Sequence, residues 1–189
     1  MGFKKYISEY RLENVPNKKG KLVTKAVYKG DYFVYRCGGE ELKRARTSVV
    51  ACCAVAVLSF ITALVFYRNT GFTSQYYTLI PLLACFLPLL YFVIAAYNVI
   101  VTGEGKKVDH EHKDGIHDRI AKCSLGIIIL DGLNIFGILL AAILKATHLE
   151  NRPFTFFDGG FMIASVALLA AAALAIEPRK KLEMVKTAG

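Results

Sequence analysis

A chain of 189 residues, 54% of them hydrophobic with a mean hydropathy of +0.41, has the length of one soluble domain but not its patterning. The apolar residues gather in four long blocks and the charges fall between and outside them. The net charge of +9 would suggest nucleic acid in a soluble protein; here its distribution is explained by topology, and no nucleic-acid partner is expected.

Residues 1–47 form a polar, basic segment expected to lie in the cytoplasm. A cleavable signal peptide has its apolar core near the start, and here the first apolar block begins only after this segment. Gly2 lacks the Ser or Thr at position six that myristoylation prefers, because Tyr6 stands there. Phe3, Ile7 and Tyr10 at helical spacing predict a short amphipathic helix over Phe3–Leu12, broken by Pro16 and the Asn17-Lys18-Lys19-Gly20 run. Residues of about 21–37 predict a small β-hairpin. KLVTKAVY and DYFVYRC are both β-rich and Lys29-Gly30 stands between them, with Leu22, Thr24 and Ala26 facing Cys37, Tyr35 and Phe33 in one register. An isolated hairpin is marginal in water, so it is expected to dock on something. Glu40–Arg46 predicts helix leading into the first span, with Lys43, Arg44 and Arg46 at headgroup level as a topology signal.

Four spans follow, at about 48–67, 76–101, 120–146 and 157–176, each meeting the roughly 20 residues that a bilayer requires. The segments 1–47, 102–122 and the 177–189 tail hold 21 of the 24 Lys and Arg residues, so the positive-inside rule puts both termini and the middle loop in the cytoplasm. The second span carries Pro81 and Pro88, each of which removes a helix donor and favours a bend. The third carries Gly126 and Gly137, eleven residues apart and thus on nearly one face, with Ala141 one turn on; this smooth stripe admits a close neighbour and lies around the helix from Asp131. In the fourth, Ala164, Ala167, Ala171 and Ala175 suit tight helix packing, and Asp158-Gly159-Gly160 is placed to cap its start. The fold class expected is therefore an all-α membrane protein, a four-transmembrane-helix bundle with a small N-terminal cytoplasmic β-hairpin.

Asp131 is the one charged residue deep inside a block. A carboxyl group at the centre of a span costs roughly 2.5–3.5 kcal/mol on insertion scales, so it needs partners. Ser59, Tyr91 and Ser165 fall within about a turn of the same depth, and Asn134 and Thr62 lie just outward. The candidate intramembrane polar site is Asp131 with Asn134, Tyr91 and Ser59. It is either a hydrogen-bonded pin that fixes helix register or a proton- or cation-responsive centre.

The middle loop carries His110, His112 and His117 among Asp109, Glu111, Asp114 and Asp118. These are metal-ligand types, but no second ligand pair or H-E-x-x-H accompanies them, so a solvated connector is the leading reading, with weak metal binding or pH sensing behind it. Asp114 is placed to cap a helix running into the third span. The cysteines Cys37, Cys52, Cys53, Cys85 and Cys123 avoid the predicted outer loops and form no C-x-x-C, so neither a disulfide nor thiol redox chemistry is expected. There is no Ser/His pair, no P-loop and no second intramembrane aspartate for a protease, so no catalytic residue, cofactor or resident metal is assigned. No motif is specific enough to name a family. The expected role is a non-enzymatic scaffold or accessory subunit that presents the basic N-terminal module; the alternative is a small oligomeric transporter or channel centred on Asp131. Expected partners are the lipid bilayer, its anionic headgroups, and either a second copy or another membrane protein.

Overall fold

The computed structural model describes residues 9–16, 22–70, 76–103, 105–147 and 155–187. Four helical stretches, Gly39–Tyr67, Tyr76–Val101, His112–Ile143 and Phe156–Lys181, are long and apolar enough to cross a membrane. That architecture is the mark of a multi-pass membrane protein.

Helix α1 (Gly39–Tyr67) begins at a glycine with φ of +60°, a conformation that side chains with a Cβ resist. Glu40 and Glu41 sit in its first turn, where the helix dipole favours negative charge. The helix starts about two turns before the apolar block, because the EELKRAR stretch is made of good helix formers.

The second apolar stretch is two helices, α2 (Tyr76–Ala84) and α3 (Phe86–Val101), parted at Cys85. The cause lies in its two prolines. Pro81 has no N–H to offer the Tyr77 carbonyl, and Pro88 none to offer that of Ala84. The Cys85 N–H is shared between the carbonyls of Pro81 and Leu82, and the regular ladder resumes from Leu89 to Cys85. Pro88 sits in the first turn of α3, where a proline is tolerated.

Helix α4 (His110–Thr147) runs 38 residues, a length of about 57 Å. Its cap is Asp109, whose Oδ1 accepts from the His112 N–H at 2.9 Å. The expected cap, Asp114, lies inside the helix instead: Asp109 comes first and leaves the following turn free to wind. Helix α5 (Phe156–Leu174) opens on a capping box in which Thr155 and Asp158 satisfy each other's backbone N–H groups. Asp158 is thus the third helical residue and Thr155 is the cap. A short helix, α6 (Ile176–Lys181), continues from α5 past Ala175.

Around the bundle, α1 packs on α5 and α3, while α4 packs on α2, α3 and α5. Two glycines of the third stretch lie against the second, Gly126 at Pro88 and Gly137 at Tyr77 and Thr78. A Cβ on Gly126 would lie 3.2 Å from Pro88 Cβ, and one on Gly137 would lie 3.0 Å from the Tyr77 carbonyl oxygen. Gly137 therefore lets the α4 backbone approach the carbonyl that Pro81 leaves without its helical partner. The stripe expected from the sequence is present, and it faces the second stretch while Asp131 turns toward α5. Of the four alanines, Ala164, Ala171 and Ala175 are buried, as their spacing predicts, and Ala167 is half-buried.

At the end of the bundle that carries both terminal segments lies a layer of four strands. β1 (Tyr10–Pro16) and β2 (Leu22–Tyr28) form an antiparallel hairpin, with Tyr10 opposite Tyr28 and Pro16 opposite Leu22. β3 (Phe33–Tyr35) pairs instead with β4 (Met184–Lys186), and Phe33 exchanges two backbone bonds with Val108 on its other side. The N-terminal hairpin exists, then, but not between the strands expected. The register of Leu22, Thr24 and Ala26 against Cys37, Tyr35 and Phe33 is replaced by one against Pro16, Asn14 and Leu12. Lys29-Gly30 is a poor hairpin turn, and strand 10–16 supplies a longer partner than 33–35. Of the predicted Phe3–Leu12 helix, residues 3–8 lie outside the described residues, and Tyr10–Leu12 are strand. Residues 177–181 and 184–186, expected to be tail, are helix and strand.

Arg46 satisfies the end of a neighbouring helix. Its Nε donates to the Val99 carbonyl at 3.0 Å and its Nη2 to that of Ile100 at 2.5 Å. These are last-turn carbonyls of α3, which has no basic residue of its own there. Arg46→Met keeps the aliphatic bulk and removes the fork; we expect a loss of about 1–2 kcal/mol and faster amide exchange at residues 100–103. Unchanged exchange there would show that water satisfies these carbonyls equally well.

Candidate functional site

Three polar side chains with no solvent exposure meet between α4 and α5. Asn134 Nδ2 donates to Asp131 Oδ1 at 3.1 Å and to Ser165 Oγ at 3.0 Å, so that one amide group uses both of its hydrogens. Asp131 and Asn134 are one helical turn apart on α4 and share a face. Ser165 reaches them from the alanine-rich helix α5, which is smooth enough to come close. Two buried oxygens, Asp131 Oδ2 and Asn134 Oδ1, have no hydrogen-bond donor. The Leu169 backbone approaches the carboxyl from α5, but its N–H lies mid-helix and is committed to the helix ladder. From the other side Cys85, at the break in the second stretch, is near enough to interact with the carboxyl electrostatically.

Tyr91 is not part of this group. It is 51% exposed, with the Arg119 guanidinium 5.9 Å from its ring centre. Depth along a span sets height and not direction: α3 buries Leu89, Phe92, Ala95, Ala96 and Val99, and Tyr91 falls on the opposite side. Ser59 is buried, but it lines a groove of about 660 Å³ between α1 and α5 together with Thr62, Phe66, Gly160 and Ala164. Among the described residues no bond links it to Asp131. The Thr62 hydroxyl is turned back on its own helix, donating to the Leu58 carbonyl at 2.8 Å. Ser165 is the partner that depth alone offers and that no sequence signal ranks above Ser59 or Tyr91.

The three histidines expected in the middle loop lie in the first turns of α4 and do not converge. His110 Nδ1 lies 3.2 Å from Glu9 Oε1, and His112 Nδ1 lies 2.6 Å from Asp109 Oδ1. His117 Nδ1 lies 3.4 Å from Arg179 Nη2 and 3.7 Å from Asp118 Oδ1. Among the described residues no three His, Cys, Asp or Glu side chains gather as a metal site. What His110 does is anchor the hairpin. Glu9 also accepts from the Tyr28 hydroxyl at 2.9 Å, the His110 N–H donates to that hydroxyl at 3.2 Å, and the Tyr10 hydroxyl donates to Asp109 at 3.4 Å. Burial pushes the Tyr28 phenol up to about 12, so it remains a donor across the physiological range.

Beyond that anchor the hairpin exposes two leucines on one face. Leu12 and Leu22 are 77% and 71% exposed on the same side, and the polar pair between them, Thr24 and Asn14, bond each other at 2.9 Å. The molecule is thus a bundle of four apolar helical stretches with a broken second member, a closed polar knot between the third and fourth, and a projecting hairpin at the terminal end. No family model matches the chain, and no curated protein or solved structure does either.

Proposed function

We propose that this protein is a non-enzymatic membrane scaffold or accessory subunit that presents its hairpin to another membrane protein or to a second copy of itself. The observation that carries this reading is the exposure of Leu12 and Leu22 on a hairpin whose anchoring bonds, among the described residues, gather at its Tyr10–Tyr28 end. Two-stranded hairpins are marginal in water, and an apolar face on one is stabilised when something covers it. The polar knot supports the same reading, because its Asn134–Ser165 bond joins α4 to α5 and suits a pin. Co-purification from native membranes in mild detergent tests it. Wild type should bring down a defined partner or a homo-oligomer, and Leu12→Glu with Leu22→Glu should lose it while the bundle still folds. Equal recovery with both proteins would remove the hairpin from the interface.

The positive-inside asymmetry supports a cytoplasmic location for the terminal end and its layer of strands, near anionic headgroups. A reporter active only outside the membrane should stay silent when fused to either terminus. A strong C-terminal signal would overturn this orientation.

The competing reading, a small oligomeric transporter or channel centred on Asp131, is favoured by the helix break at Cys85 beside a buried carboxyl. Proton or cation flux in proteoliposomes above that of empty liposomes would establish it over the scaffold.

A further inference from the structure

We propose that Asp131 is a proton-binding site: it holds one proton as the neutral acid and forms a two-point pair with Asn134. The inference is independent of the scaffold reading and goes beyond it. The two atoms left without donors, Asp131 Oδ2 and Asn134 Oδ1, are the complementary halves of an acid–amide pair. Asn134 Nδ2–H already donates to Asp131 Oδ1. A proton on Oδ2 then donates to Asn134 Oδ1, and one proton satisfies both orphaned oxygens. Nothing else is formed or lost: a carboxylate and a proton become a carboxylic acid.

Among the described residues no positive charge pairs with this carboxyl, and the groups around it are the Asn134 amide on its own helix, the Ser165 hydroxyl and Leu169 backbone of α5, and the Cys85 thiol at the helix break. A carboxylate here, wholly removed from solvent and bonded by a single amide N–H, would be an uncompensated buried charge. Losing the proton therefore removes one bond of the pair and leaves two acceptors unpartnered at the α4–α5 contact, which ties proton release to loosening of that contact.

Infrared difference spectroscopy of the purified full chain tests the proposal. Wild type minus Asp131→Asn should show the C=O stretch of a protonated carboxyl at neutral pH. Asn134→Leu, which keeps the acid but removes its acceptor, should shift that band toward the free-acid position, and it serves also if Asp131→Asn does not fold. Melting followed over a pH series gives a second readout. Wild type should lose stability relative to Asp131→Asn as the pH is made alkaline, since the amide closes the same pair with no proton to lose. No acid band at neutral pH, or a band that Asn134→Leu leaves in place, overturns the proposal, as does identical pH dependence of melting in wild type and Asp131→Asn. A band abolished when sodium replaces choline at constant ionic strength also overturns it, and gives the place to an alkali cation.

Discussion

Gly137→Leu should disrupt the contact between the second and third helical stretches, with Gly132→Leu on the same helix close to neutral. At Gly137 the first added carbon would stand 3.0 Å from the Tyr77 carbonyl oxygen, 3.1 Å from Thr78 Cγ2 and 3.2 Å from Tyr77 Cδ2. Backbone lies on both sides of that contact, so relief requires moving a helix, and three further carbons cannot be placed. Overpacking of this kind costs about 2–3 kcal/mol, or roughly 5–10 °C in melting temperature for a chain of this size. Gly132 has no atom within 4 Å of where its Cβ would be, so a side chain there meets open space. Both substitutions make the segment equally more apolar, so membrane insertion does not separate them and packing does. Gly137→Ala should fall between, since its neighbours need yield only a few tenths of an ångström. Equal melting of the Gly137→Leu and Gly132→Leu proteins in detergent would show that the two stretches are not held by this approach.

The second large effect belongs to Asp131, and its size should depend on charge rather than on shape alone. Asp131→Asn should fold and melt like wild type at neutral pH, because an amide both donates and accepts toward Asn134. Asp131→Leu should loosen the bundle modestly, by about 0.5–1.5 kcal/mol, because the bond it removes lies within α4. Asn134 keeps Ser165 in that variant. Asp131→Lys should be far worse, at about 3–5 kcal/mol, because it sets a permanent charge in a site with no ion-pair partner among the described residues. Thermal melting of the four proteins in one detergent orders them. A lysine variant that melts with wild type would mean that water reaches this position, contrary to a closed polar knot.

The four apolar stretches are legible because hydrocarbon demands some twenty apolar residues in a row, a signal that few other structures produce. Pro81 and Pro88 announce the break, and Gly126 and Gly137 the close face, since both depend on what those residues lack. Strand pairing is less legible. Phe3, Ile7 and Tyr10 have helical spacing, yet Tyr10–Pro16 is a strand because β2 offers it seven partners. β4 is three residues long and leaves almost no local trace; it is a strand because β3 lies beside it. The polar site is half legible for a related reason. Asp131 and Asn134 are one turn apart on a single helix, so the sequence contains their relation. Which of Ser59, Tyr91 and Ser165 turns toward them depends on how neighbouring helices are rotated, and equal depth does not encode that.

The pairing of β3 with β4 places a constraint on the order in which the molecule can be made. Arg36 and Glu183, whose side chains meet at 3.2 Å beside those strands, are 147 positions apart. While the ribosome is still working through the fourth apolar stretch, β3 has had time to meet Val108 but has no partner on its other edge. That edge is an open template for pairing with another nascent chain, and it closes only after the last helix is threaded and residues 184–186 emerge. Completion of the terminal layer is thus a late event in biogenesis, and a chain that stalls or is clipped just short of Met184 is a finished bundle with an unsealed edge.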